Sequence, residues 1–264
     1  MCRWAAYRGE AIFLEDIVSA PCHSLVAQSH CAEEAKTATN GDGFGVAWYG
    51  ERDEPGLYRD ILPAWSDPNL RHVCRQVRSH LFLAHVRAST TGATSRDNCH
   101  PFACGSWTFM HNGQIGGFEQ IRRRLEGSLP DHLYAERHGS TDSELLFLIM
   151  LDEGLGDDPH RATQRAVSRV TAAARAAGVE PFVRLTAAFS DGKSLYAVRY
   201  ATDRFAPTLY LSTNARGHSL VSEPLDRESA SWQPVPAGSF VKVDASGVAV
   251  SGFVPEADRL AIAV

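Results

Sequence analysis

Position 2 of the chain is a cysteine directly behind the initiator Met1. A side chain this small lets the methionine be trimmed, which would leave Cys2 with a thiol and a free α-amino group on one residue. That amine has an ordinary pKa of ~7.7–8.0, so it can act as a base near neutral pH. Thiolate is the reactive form of cysteine and needs such a base or a nearby positive charge, and Arg3 is adjacent. Three further local patterns carry residue types suited to chemistry: His85-Val86-Arg87, His111-Asn112-Gly113 and Thr141-Asp142-Ser143-Glu144. Each has a structural alternative. Arg87 can pair with a structural carboxylate, Asn-Gly is a common hairpin turn, and Thr141 with Glu144 makes a helix capping box.

These residues need elements to hold them. Arg3–Tyr7 reads as a short strand that starts at the cysteine. Leu14–Ala38 reads as mostly helical, with Pro21 interrupting. Gly43–Tyr49 follows as a strand entered through the turn Asn40-Gly41-Asp42-Gly43. Leu81–Ala88 is a strand whose alternation puts Phe82, Ala84, Val86 and Ala88 on one face and His85, Arg87 and Ser89 on the other. Trp107–His111 is expected as a strand ending at an Asn112-Gly113 turn. The capping box opens a helix through Leu145–Leu151 that stops near Gly154, and Asp158-Pro159 starts a second helix that ends before Gly178. Strands follow near 183–190, 194–200, 209–212, 240–243 and 247–253. Strands on both sides of a helical pair predict two packed sheets with helices outside, an α+β layered domain.

With 264 residues the chain is long enough for one large domain, or at most two, with a sizeable core. Its net charge of −5 argues against nucleic acid or an anionic membrane surface as the main partner. No apolar run approaches the ~20 residues needed to cross a bilayer, and Arg8 and Glu10 break any signal-peptide core, so a cytoplasmic location is expected. Six cysteines in this length are no disulfide framework, and most are expected to be buried thiols. Cys99, His100, Cys104 and His111 match no common zinc spacing, so neither metal nor other cofactor is expected.

Taken together, MCRWAAY, NGDGFGVAWY, AHVRAST, NCHPF, MHNG and GSTDSE resemble the class II glutamine amidotransferases of the N-terminal nucleophile hydrolase superfamily. The similarity runs from residue 2 to about 150, with the motifs in family order, and VSEPLD at 221–226 is similar to the family's C-terminal portion. The resemblance implies a four-layer αββα sandwich, with residues 2–264 as a single glutamine amidotransferase type 2 domain. It implies that Cys2 attacks the γ-carbonyl of glutamine or a γ-glutamyl small molecule to form a thioester, with its own α-amine as base through a water. Asn112 and Gly113 would donate to the oxyanion. Arg87 would grip the substrate α-carboxylate and Asp142 the α-ammonium. Ser89 and Thr90 would be secondary carboxylate contacts, His85 and His111 supports, Asp42 a structural wall residue, and Arg3 a charge beside the thiol.

Two departures bear on specificity. Synthase-linked members have Trp and His where this chain has Ala88 and Thr91, and the similar ergothioneine-pathway enzyme has His where this chain has Trp4. No synthase domain is recognisable after residue 150. A stand-alone γ-glutamyl amidohydrolase is therefore the leading expectation. The alternatives are the glutaminase subunit of a pair completed by a separate synthetase, and a silent γ-glutamyl-binding module.

Overall fold

The computed structural model describes residues 2–34, 39–89 and 94–255. In chain order the strands are β1 (Arg3–Phe13), β2 (Phe44–Trp48), β3 (Gly56–Asp60), β4 (Arg78–Val86), β5 (Phe102–Cys104), β6 (Trp107–Ile115), β7 (Val183–Ser190), β8 (Leu195–Ala201), β9 (Tyr210–Asn214), β10 (Gly217–Val221), β11 (Gln233–Pro234), β12 (Ser239–Asp244) and β13 (Gly247–Gly252). The α-helices are α1 (Glu15–Val18), α2 (Leu25–His30), α3 (Pro68–Gln76), α4 (Phe118–Glu126), α5 (Asp131–Tyr134), α6 (Asp142–Asp152) and α7 (Pro159–Ala176). One sheet runs β11-β9-β10-β1-β4-β2-β3 and the other β13-β12-β8-β7-β6-β5.

Three apolar layers follow from strand alternation. Between the sheets, Trp4, Ala6, Leu81 and Leu83 meet Met110, Ala188, Ala197, Val241 and Val243. Outside the first sheet, Phe82, Ala84, Val86, Phe44 and Val46 pack with Leu14, Val18, Leu25, Leu70 and Cys74 of the α1–α3 region. Outside the second, Phe109, Leu185, Phe189 and Val198 pack on α4, α6 and α7. The result is the expected αββα sandwich. Helix α6 is apolar on every side, and Leu145 through Met150 are all buried between the sheet and its helical neighbours.

Several expectations need correction. Asn112 and Gly113 form no turn: β6 continues to Ile115, paired with β7 from Thr108↔Ser190 to Ile115↔Val183. A continuous partner strand outweighs the local turn preference. Leu14–Ala38 holds only two short helices, α1 and α2, separated by turns, with residues 35–38 outside the described part. Of the cysteines, Cys74 and Cys99 are buried, Cys2 and Cys104 half-buried, and Cys22 and Cys31 exposed. Among the described residues no helix is long and apolar enough to cross a membrane.

Candidate active site

Strand β1 is central in its sheet, between β10 and β4, and Cys2 stands immediately before it. The β1–β4 register pairs Arg3 with Val86 and Trp4 with His85. Cys2 therefore lies at the sheet end where the inner face changes from Leu81 and Leu83 to His85 and Arg87. The Cys2 thiol donates to the Ala88 carbonyl at 3.6 Å. Although the residue is half-buried, protein packed round the sulfur raises the thiol's pKa above its ordinary value. The backbone at Ala88 and the charges of Arg87 and Arg3 pull against that rise.

Arg87 is almost fully buried. Its guanidinium donates to the Asp42 carbonyl at 3.3 Å and to Ser89 Oγ at 3.2 Å. Among the described residues no carboxylate pairs with it. The Asp42 carboxylate instead accepts from the Ser89 N–H at 2.7 Å, and backbone bonds Asp42 N–Arg87 O and Arg87 N–Gly43 O lock this turn to the end of β4. Gly43 has φ 122°, and an added Cβ would press on Cys99 Sγ and the Asp60 carbonyl, so only glycine fits. Asp42 thus ties this turn to the segment after β4. Thr90 lies outside the described residues.

On the facing sheet, Met110 points into the intersheet core, so Asn112, two residues on, points the same way toward the polar end. Asn112 is buried, and neither its Nδ2 nor its Oδ1 has a hydrogen-bond partner among the described residues. The direction of the Gly113 N–H follows from its neighbour. The Ile115 N–H leaves β6 on the side away from β7 to reach Asp142 Oδ2 at 2.8 Å. Strand N–H groups alternate in direction, so the Gly113 N–H leaves on that same side, where β5 pairs only with Trp107–Phe109. A side chain at Gly113 would collide with the Arg184 carbonyl and the His111 ring. Gly113 is required by crowding, not by a turn.

His111 faces the helix layer. Its Nε2 lies 3.0 Å from the Arg184 carbonyl, which can only accept, so Nε2 carries a hydrogen. Nδ1 meets Ser143 Oγ at 2.9 Å, and Ser143 Oγ lies 3.2 Å from Asp142 Oδ1. Burial lowers the His111 pKa, while Asp142 and the Arg184 carbonyl oppose the shift. Asp142 is half-buried with no basic side chain paired to it among the described residues. The neighbouring ring of His85 packs tilted against His100 with centroids 4.3 Å apart, and neither ring has a hydrogen-bond partner among the described residues. Burial pushes His85 down to about 3, so it stays neutral at physiological pH.

The expected capping box forms by half, and several further supports escaped the sequence reading. Thr141 Oγ1 accepts from the Glu144 N–H at 3.2 Å, half of a capping box. The Glu144 carboxylate turns instead to the N–H groups of His138 and Gly139, and pairs with Arg137 at 3.2 Å. Asn98, within the NCHPF motif, accepts from the Ser140 N–H at 2.8 Å. These bonds shape the loop that delivers Asp142. Trp4 is core, its indole N–H reaching the Thr186 carbonyl at 3.2 Å across the two sheets. Arg3 is fully buried and pairs with Glu223, a partner with no local sequence signal beyond the VSEPLD motif. No group of three His, Cys, Asp or Glu side chains among the described residues is arranged to hold a metal ion.

Two facing antiparallel sheets between helical layers, with a cysteine at the head of a central strand, define an N-terminal nucleophile hydrolase fold. The solved phosphoribosylpyrophosphate amidotransferase of Bacillus subtilis shares that fold, with a TM-score of 0.65 at 13% identity, over 96% of this chain and 49% of that one. The chain belongs to the class-II glutamine amidotransferases, whose family model matches residues 14–212. It is similar to the probable glutamine amidotransferase DUG3 of Saccharomyces cerevisiae, at 32% identity over 97% of this chain and 85% of that protein. It is also similar to the gamma-glutamyl-hercynylcysteine sulfoxide hydrolase of Mycobacterium tuberculosis, at 29% identity over 95% of this chain and 96% of that protein. A solved glutamine aminotransferase class-II domain protein from Silicibacter pomeroyi matches with a TM-score of 0.78 and 45% identity, over 96% of this chain and 99% of that one. The chain is an enzyme of this family, acting on the γ-amide of glutamine-type substrates.

Proposed function

We propose that this enzyme hydrolyses the γ-amide of a small γ-glutamyl compound through a thioester on Cys2, with residues 2–264 acting as one catalytic domain. The observation that carries the reading is the meeting at one end of the intersheet layer of a thiol with two buried groups: a guanidinium that among the described residues has no carboxylate, and an amide that among them has no hydrogen-bond partner. Similarity to a γ-glutamyl hydrolase over nearly the whole of both chains supports the same substrate class.

In the proposed sequence, Met1 is removed and the Cys2 amine accepts the thiol proton through a water. The sulfur attacks the γ-carbonyl carbon, and the oxyanion takes hydrogen bonds from Asn112 Nδ2 and the Gly113 N–H. The carbon–nitrogen bond breaks as the leaving amine takes a proton from the ammonium. Water then attacks the thioester carbonyl as the amine collects its proton, the carbon–sulfur bond breaks to release the γ-carboxylate product, and the ammonium returns the proton to the Cys2 sulfur. Arg87 holds the α-carboxylate with Ser89 beside it, and Asp142 holds the α-ammonium.

The test compares L-glutamine, a γ-glutamyl anilide and 4-aminobutanamide, which lacks the α-carboxylate, using the purified chain alone. Arg87→Met is expected to lower kcat/KM about 10²-fold or more, because a buried charge pair is lost. It should cause little further loss with 4-aminobutanamide, since the group Arg87 holds is already gone. Asp142→Asn should cost about tenfold, mainly in KM, since this carboxylate is less buried. Equal losses on both substrates in Arg87→Met would remove Arg87 from substrate binding. Little turnover alone and a gain on adding a synthetase subunit would favour a two-protein amidotransferase instead.

A further inference from the structure

The VSEPLD segment contributes a residue that the proposed chemistry leaves unused. Glu223 is 2% exposed, accepts three hydrogen bonds and forms an ion pair with Arg3. Its Oε2 lies 2.8 Å from Arg3 Nε and accepts from the Glu34 N–H at 3.1 Å. Its Oε1 lies 2.6 Å from His23 Nε2 and accepts from the Glu33 N–H at 2.9 Å. The backbone on either side is pinned as well. Gln28 Nε2 donates to the Glu223 carbonyl at 3.2 Å, and Ser222 exchanges hydrogen bonds with the Trp4 backbone.

Arg3 carries this arrangement to the nucleophile. Its side chain is fully buried, and Nη1 donates to the Cys2 carbonyl at 3.3 Å. The β1 ladder begins only at Arg3, so Cys2 has no strand pairing of its own to fix its backbone. A held carbonyl restricts rotation about the Cys2 Cα–C bond, and with it the directions of thiol and amine. The Arg3 charge also acts on the thiol, and Glu223 is its nearest counter-charge, with the Glu34 carboxylate acting on it more weakly.

We propose that Glu223 is a positioning residue for the nucleophile, acting through Arg3 to fix the Cys2 backbone and to balance the positive charge beside its thiol. The proposal rests on Cys2 being the nucleophile, and it extends the site to the C-terminal motif and to residues 33–34. The other charged and titratable groups acting on Cys2 are Arg87 from the end of β4 and the buried Cys99 thiol, to which removal of Met1 would add the amine of Cys2. His85 and His100 stay neutral there because burial lowers both.

The test is Glu223→Gln, read by steady-state kinetics and by the pH profile of Cys2 alkylation with iodoacetamide, mapped by peptide. Expected are a tenfold to hundredfold loss of kcat, KM within about twofold, and an alkylation midpoint shifted to lower pH. The downward shift follows because an Arg3 charge left with only the weaker action of Glu34 favours the thiolate. In an Arg3→Met background the same substitution should leave the midpoint unmoved. A folded Glu223→Gln enzyme with the wild-type midpoint and kcat overturns the proposal, and so does a midpoint shift that persists in Arg3→Met. Should Glu223→Gln not fold, Arg3→Lys keeps the charge opposite Glu223 but loses the fork that also reaches Cys2. It should lower kcat with the midpoint unchanged, and an undiminished kcat contradicts the proposal. The alkylation profile is read without turnover, so it separates failure here from failure of the Cys2 assignment, which appears as activity surviving Cys2→Ala.

Discussion

Cys2→Ala is expected to abolish turnover, by about 10⁴-fold or more in kcat, while substrate binding persists. Binding survives because the groups assigned to the substrate α-carbon lie elsewhere, on the turn after β4 and at the start of α6. Stability should change little, since the half-buried thiol makes one weak bond, to the Ala88 carbonyl at 3.6 Å. Calorimetry with L-glutamate beside an ammonia-release assay separates the two effects. Turnover that survives the substitution would remove the thiol from the mechanism. Loss of glutamate binding along with activity would instead place Cys2 in the binding surface or in the fold.

Asn112→Ala is expected to give the next largest effect, a loss of ~10²–10³ in kcat with KM near wild type, the range for one oxyanion donor. The substitution should be nearly neutral for stability, and the reason is visible in the geometry. Neither amide atom of Asn112 is bonded within the described protein, so removing them strands no internal partner. A buried amide kept without a partner is costly unless something else uses it, and a transient oxyanion is such a user. A thermal melt together with steady-state kinetics checks this split. A melt lowered by ten degrees with kcat intact would make Asn112 a structural residue.

The alternation of Leu81–Ala88 was enough to separate the face carrying His85 and Arg87 from the face carrying Phe82, Ala84 and Val86, because period-two burial is a local signal. The helices behind Thr141 and Asp158 were equally legible from their caps. Helix α3 carries the same Asp-Pro start, at Asp67-Pro68, and α4 a clear apolar stripe of Phe118, Ile121 and Leu125, yet neither was picked out. The Asn112-Gly113 turn was misread because nothing local announces that β7 pairs along the whole of β6. Glycine is there for the Arg184 carbonyl and the His111 ring, contacts set by tertiary structure. Glu223 and Arg3 are 220 residues apart, so no spacing rule could join them. The site residues were legible as a set of types, but the ion pairs and loop bonds that aim them were not.

Mass spectrometry after treatment with 6-diazo-5-oxo-norleucine, a glutamine-shaped electrophile, tests the role of Cys2 most directly. The exposed thiols of Cys22 and Cys31 serve as internal controls for unselective reaction. The expected product is a chain lacking Met1 with a single adduct on Cys2, and excess L-glutamate should slow its formation. A chain that keeps Met1, takes no label, or is labelled on Cys22 or Cys31 in place of Cys2 would contradict the assignment of Cys2 as the nucleophile.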